Sequence, residues 1–63
     1  MPVITVDIGI LDTREKKMEL VKALTAAASS ATQIPEGKFI VLINELEKDN
    51  IGVGGKLLSE IVK

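Results

Sequence analysis

The sequence predicts a small α/β (α+β) protein, a β-α-β unit followed by a C-terminal hairpin. Three observations support this class: an alternating apolar run at the start of the chain, a long amphipathic segment, and a second apolar run that is continuous. A connection long enough to contain a helix returns parallel to the first strand, and such crossovers are nearly always right-handed. We expect the chain to form one domain over residues 1–63.

The first predicted strand runs from Pro2 to Ile8 and is ended by Gly9. Its alternate residues Ile4, Val6 and Ile8 are apolar and share one face. An apolar period of two is typical of a strand with one face against a core.

The next predicted element is an amphipathic helix from Thr13 to about Thr32. Asp12 and Thr13 are candidate N-cap residues, and Glu15 follows Asp12 at the spacing of a capping box. One apolar stripe recurs at helical spacing: Leu20, Val21, Leu24, Ala27, Ala28 and Ala31. We expect this stripe to face the sheet.

The second predicted strand, Phe39–Ile43, follows a helix-breaking segment that contains Pro35 and Gly37. Its apolar run is continuous, and a strand that is apolar on both faces is expected in the middle of a buried sheet. Further on, Asp49-Asn50 and Gly52–Gly55 supply turn residues for a tight hairpin. Open sheet edges recruit partners, so we expect this hairpin to pair with a neighbouring copy.

The composition predicts self-association. Hydrophobic residues make up 46% of the 63 positions, which is more than so small a monomer can easily bury. A single core of this size rarely contributes more than about 3–5 kcal/mol to the free energy of unfolding, so such domains usually need disulfides, a metal or oligomerisation as well. The chain has no Cys for disulfides and no Cys or His for a structural zinc site. We therefore expect an obligate oligomer.

Charge and residue usage argue against several function classes. The net charge is −1 and Phe39 is the one aromatic residue, so a basic patch with stacking aromatics for nucleic acid is missing. No apolar run reaches the roughly 20 residues of a membrane span, and no signal-peptide pattern precedes Pro2, so we expect a cytoplasmic protein with no membrane partner. Without His or Cys, the usual nucleophile–base pairs and transition-metal ligands are lacking, and we expect no cofactor or metal.

Pro2 is the candidate catalytic residue. If Met1 is removed, the Pro2 nitrogen becomes a secondary amine at the first residue of a strand. An α-amino group has an ordinary pKa of about 7.7–8.0, and an apolar pocket lowers that pKa, which suits a general base at neutral pH. A structural interpretation stays open, because proline is tolerated at the first residue of a strand.

The order and spacing of these motifs resemble the 4-oxalocrotonate tautomerase family over essentially the whole chain. The motifs are Pro2–Ile4 in the first strand, Asp12 to Glu15 at the start of the helix, Ile34-Pro35 before the second strand, and Gly52–Gly55 near the end. The resemblance implies protomers that pair into dimers with a four-stranded sheet, and three dimers that form a homohexamer with Pro2 near subunit boundaries. It also implies a cofactor-independent tautomerase whose Pro2 amine moves a proton within a small enol or keto substrate.

Three positions depart from the family pattern. Two arginines that bind substrate carboxylates and one aromatic pocket wall correspond here to Asp12, Ile40 and Ile51. Losing both cations removes the bidentate grip on a carboxylate. We therefore expect small monoacid or apolar carbonyl substrates rather than dicarboxylates, with Ile40 and Ile51 as apolar walls of the pocket.

Two basic residues are candidates to replace the arginines. Lys38 lies two positions before Ile40, so on a strand it would share that residue's face. In a branch that resembles macrophage migration inhibitory factor, a lysine near the start of the second strand serves the active site. Arg14 lies two positions after Asp12, in the first turn of the helix. The alternatives are a solvated surface charge for Arg14 and a charge that protects a sheet edge for Lys38.

A second function class also stays open: a catalytically silent relic or a non-enzymatic oligomeric binding protein. With Met1 attached, the Pro2 nitrogen is a tertiary amide with no basic lone pair. Proline catalysis would then be impossible.

Overall fold

A computed structural model describes residues 1–62, so Lys63, the last residue of the predicted domain, lies outside the described residues. The main elements are strand β1 (Val3–Gly9), helix α1 (Arg14–Thr32), strand β2 (Ile40–Leu46), strands β3 (Gly52–Val53) and β4 (Lys56–Leu57), and the short helix α2 (Leu58–Ile61). Two single-turn 3₁₀ helices, Glu36–Lys38 and Lys48–Asn50, lie on either side of β2. This architecture confirms the predicted β-α-β protomer with a C-terminal hairpin.

The two long strands pair in parallel, as predicted. Their register runs from Val3 opposite Ile40 to Gly9 opposite Leu46. The strand β2 begins one residue after the predicted start and ends three residues after the predicted end. The predicted end was wrong because the prediction stopped where the apolar run stops, at the polar residue Asn44. Asn44 nevertheless belongs to the strand, and its side-chain amide donates a 2.9 Å hydrogen bond to the Asp7 carboxylate across the ladder.

The helix α1 begins after an N-cap at Thr13, which confirms one of the two candidate caps. The Thr13 Oγ1 accepts a hydrogen bond from the Lys16 N–H at 3.2 Å. Asp12 lies one residue too early to cap; instead its carboxylate pairs with the Lys16 ammonium at 2.8 Å. At the other end, Gln33 has a left-handed backbone (φ 65°), and its N–H closes the last turn on the Ser29 carbonyl.

The helix covers one face of the sheet. Alternate residues of both strands, including Ile4, Val6 and Ile43, are half-buried on the helix side. The other side, called the open face below, is exposed and consists of Val3, Thr5, Asp7, Ile40, Leu42 and Asn44. Val3 is 53% and Leu42 50% exposed, so within the protomer β2 has one covered face rather than the two predicted.

The single chain is extended for its mass. Within residues 1–62, no side chain is fully buried. The accessible surface is 4889 Å², against about 3900 Å² for a folded monomer of this mass. The radius of gyration is 14.9 Å, against about 10.6 Å for a compact domain of 63 residues. Both differences are consistent with a chain whose core is completed by other copies.

The C-terminal hairpin forms and turns at the predicted glycines, whereas Asp49 and Asn50, also predicted as turn residues of the hairpin, belong to the 3₁₀ helix before it. The strands β3 and β4 are antiparallel, with Val53 opposite Lys56. Gly54 and Gly55 connect them with φ values of 61° and 85°, which glycine adopts without steric cost and which a type I′ turn requires. Among the helices of residues 1–62, none is long and apolar enough to cross a membrane.

Candidate functional site

Pro2 lies at the amino end of the sheet. It is half-buried, and its carbonyl oxygen accepts a 3.0 Å hydrogen bond from the Ile40 N–H. This bond ties the first residues of the chain to the start of β2. Met1, by contrast, is 88% exposed, so the residue that would be removed makes little contact with the protomer.

Two of the other predicted site residues lie at the same end. Ile40 is adjacent to Pro2 through that hydrogen bond, and its side chain lies on the open face, 36% exposed. Lys38 is exposed and belongs to the single-turn helix, where its N–H donates to the Pro35 carbonyl at 3.0 Å. The prediction that Lys38 shares the face of Ile40 by strand alternation is wrong in its premise, because β2 starts only at Ile40. What remains is that Lys38 lies at the same end of the sheet as Pro2.

Ile51 lies at the opposite, carboxyl end of the sheet. It lines an open groove of about 500 Å³ together with Ile10, Leu46 and Leu58. Gly9, the last residue of β1, also lines the groove, and the extended chain from Pro2 to Gly9 rises by about 23 Å at 3.3 Å per residue. Within one protomer, Pro2 and Ile51 therefore cannot contact the same small substrate.

The charged residues of the groove come from the segment just before Ile51. Glu47 and Asp49 lie on either side of Lys48, and all three line the groove. The three groups sum to one net negative charge at neutral pH. A dianionic substrate would meet net repulsion here, whereas a neutral or apolar group would contact the aliphatic walls.

Asp12 and Arg14 also lie at the carboxyl end of the sheet. The Asp12 carboxylate is paired with Lys16, and both side chains are largely exposed. Arg14 is exposed in the first turn of α1 and does not line the groove. The structure therefore brings neither side chain to Pro2 of the same protomer.

Glu45 was not predicted as a functional residue. Its Oε1 pairs with the Lys17 ammonium at 2.6 Å, and its Oε2 accepts the Leu11 N–H at 2.8 Å. The hydrogen bond from Lys17, followed by that from Leu11, holds the pKa of the Glu45 carboxyl below its ordinary value. Glu45 continues the helix-facing positions of β2, two residues after Ile43. Extending the alternation past the apolar run would have placed a carboxylate against the helix and identified it.

Comparison with known proteins gives the family. A family model described as tautomerase enzyme matches residues 2–61. A "probable tautomerase" of Bacillus cereus is 42% identical over 60 residues, covering 95% of this chain and 98% of that protein. A 2-hydroxymuconate tautomerase of Bacillus subtilis is 39% identical over 61 residues, covering 97% of this chain and 98% of that protein.

Solved structures agree with the sequence relatives. The crystal structure of a homologue of 4-oxalocrotonate tautomerase has a TM-score of 0.86 and 39% identity, covering 94% of this chain and 97% of its own. A heterohexameric 4-oxalocrotonate tautomerase from Chloroflexus aurantiacus has a TM-score of 0.86 and 30% identity, covering 97% of this chain and 98% of its own. The chain belongs to the tautomerase family, on the 4-oxalocrotonate tautomerase fold. Its activity class is accordingly that of a tautomerase, an isomerase.

Proposed function

We propose that this protein is a cofactor-independent tautomerase in which the amine of Pro2, free after removal of Met1, acts as the general base. The observation that carries this proposal is the placement of Pro2. A family match that starts at residue 2 begins on a half-buried proline, and its carbonyl is held by the Ile40 N–H. A secondary amine fixed in this way can take a proton from an enol oxygen or an α-carbon and return it elsewhere on the substrate. The chemistry needs no His, Cys or metal.

The proposed active site is shared between copies. Pro2, Lys38 and Ile40 lie at one end of the sheet and Ile51 at the other, so a pocket that uses both sets takes them from different protomers. The open face and the large accessible surface support self-association. We propose a homohexamer built from three dimers, in which the Pro2 end of one copy meets the groove of another. One structural neighbour is a heterohexamer.

The proposed substrates are small monoacid or apolar carbonyl and enol compounds rather than dicarboxylates. The net negative charge of the groove and its aliphatic walls favour this class. Lys38 is the proposed cation beside Pro2 that receives a single carboxylate or polarises the carbonyl, and Ile40 and Ile51 are proposed apolar walls. A second carboxylate loses about 1.5–3 kcal/mol of binding free energy for each charge-assisted hydrogen bond that it fails to make.

The test compares processed wild type with Pro2→Ala on a simple apolar enol monoacid. Intact mass first establishes that Met1 is absent from both proteins, because a retained Met1 would block the amine. The alanine variant keeps a primary amine at the N-terminus but loses the pyrrolidine ring. We expect its kcat/KM to fall by about tenfold or more, because the primary amine that remains is still a base but is no longer held in place by the ring. Equal rates above the uncatalysed background would contradict proline catalysis, whereas no turnover by the processed wild type would favour a silent relic or a non-enzymatic oligomer.

A further inference from the structure

Glu45 joins three segments of the chain. It stands near the end of β2, paired with Ile8 of β1 in the parallel ladder. Its Oε1 pairs with the Lys17 ammonium in the first turn of α1 at 2.6 Å, and its Oε2 accepts the Leu11 N–H at 2.8 Å. The Glu45 side chain is only 25% exposed, against 72% for the Asp12 side chain in the neighbouring ion pair. One side chain thus connects the sheet, the helix and the β1–α1 connection.

The residue just before Leu11 is part of the groove. Ile10 lines the groove together with Ile51, and its side chain is 60% exposed in the protomer. An exposed side chain has few packing contacts to hold it, so the position of its backbone largely determines where the side chain lies. The Glu45–Leu11 bond fixes that backbone at the adjacent residue.

We propose that Glu45 is a positioning residue for substrate selection: by accepting the Leu11 N–H, its carboxylate holds Ile10 in place as an apolar wall of the groove. This inference rests on the proposed function, in which the groove receives the apolar part of the substrate. Lys17 contributes by orienting the carboxylate and by keeping it ionised. Glu45 touches neither the substrate nor Pro2 of its own protomer.

Two variants separate the roles of the Glu45 carboxylate. Glu45→Gln keeps a side-chain oxygen that can accept the Leu11 N–H but loses the ion pair with Lys17, whereas Glu45→Ala loses both. Glu19→Ala is the matched control, because Glu19 is an exposed carboxylate on α1. Sedimentation velocity is run on every protein, so that activities are compared only between assemblies of the same size.

The kinetic readout uses two enol monoacids that differ in one group, a phenyl ring in one and a methyl group in the other. If Ile10 is displaced, the phenyl compound, whose ring is large enough to contact Ile10, should bind less tightly. For Glu45→Ala, we expect kcat/KM for the phenyl compound to fall about tenfold because its KM rises, while its kcat changes by less than about threefold. The kcat/KM for the methyl compound should also change by less than about threefold. Glu45→Gln should recover most of this loss, and Glu19→Ala should match wild type on both substrates.

A second readout follows the hydrogen bond itself. In wild type, the Leu11 amide proton resonance should move with pH as the Glu45 carboxyl titrates, because the N–H donates to the ionised oxygen. The same titration should be absent from the Leu11 resonance in Glu45→Gln, where no carboxyl is present. This measurement needs no substrate.

The outcomes are distinct. Equal losses on the two substrates, or a Leu11 resonance that is the same in wild type and Glu45→Gln at every pH, overturn the inference while leaving the proposed function in place. A processed wild type that turns over neither substrate overturns the proposed function, and the inference falls with it. Selective loss on the phenyl compound together with a titrating Leu11 amide supports the inference.

Discussion

Truncating Leu42 on the open face should weaken the assembly by an amount that can be worked out from the structure. The side chain is 50% exposed in the protomer. Full burial of a leucine is worth about 1.5–3 kcal/mol, so covering the remaining half contributes about 1 kcal/mol per copy. In the proposed hexamer, the change Leu42→Ala is made six times, for a total of about 6 kcal/mol. That total corresponds to about four decades in the overall association constant.

The concentration dependence follows from this total. Assembly of six chains involves five association steps, so about four decades in the overall constant move the midpoint concentration by about sevenfold. Sedimentation velocity over a dilution series measures that midpoint. Lys22→Ala is the control, because it removes an exposed side chain from α1 and leaves the sheet unchanged. A midpoint for Leu42→Ala equal to that of wild type would show that the open face is not covered by other copies, and the reasoning from exposed surface would be refuted.

Three further predictions concern the N-cap of α1, the loss of stability at acid pH and the substrate preference. Thr13→Ala removes the acceptor for the Lys16 N–H and should lower the free energy of unfolding by about 1 kcal/mol, measured by denaturant titration; an unchanged midpoint would contradict the capping role. Because the folded-state pKa of Glu45 is lowered, its stabilising contribution is present above the unfolded pKa and is lost as pH falls through the folded pKa. Glu45→Gln should therefore flatten the acid limb of a stability-versus-pH curve, and parallel curves for variant and wild type would refute this. On a matched diacid and monoacid enol pair, kcat/KM should favour the monoacid, and Lys38→Ala should reduce monoacid turnover; a diacid preference of about tenfold or more would mean that other cations reach the pocket.

Most of the fold could be predicted from local patterns. The alternation of Ile4, Val6 and Ile8 identified the first strand, and paired glycines identified the turn that Gly54 and Gly55 make. These signals depend on residues close together in the chain, where backbone preference and side-chain periodicity act directly. The end of β2 escaped prediction because a partner that is distant in sequence determines it. Asn44 joins the strand through its pairing with Asp7, 37 residues earlier.

The candidate site was predictable only in part, for the same physical reason. Pro2 could be selected as a candidate from its chemistry, since a secondary amine at the N-terminus can act as a base, but proline at the first residue of a strand also has a purely structural explanation. The face of Lys38 could not be predicted, because a single-turn helix interrupts the alternation that the argument required. Nor could periodicity alone place Ile51 far from Pro2 within the protomer, since that separation depends on the parallel register of the two long strands.

The separation of the two ends of the sheet has a consequence for how such a protein can evolve. A substitution at the Pro2 end and one at the groove end damage different halves of the proposed shared pocket. Two damaged chains can therefore complement each other when they assemble together, as a gene pair after duplication would. Each gene copy can then lose the residues of the pocket half that the other copy supplies. After such losses, neither chain forms an active pocket without the other. Mixed assembly of Pro2→Ala and Ile51→Asp chains, each impaired by itself, would reproduce this first step in vitro.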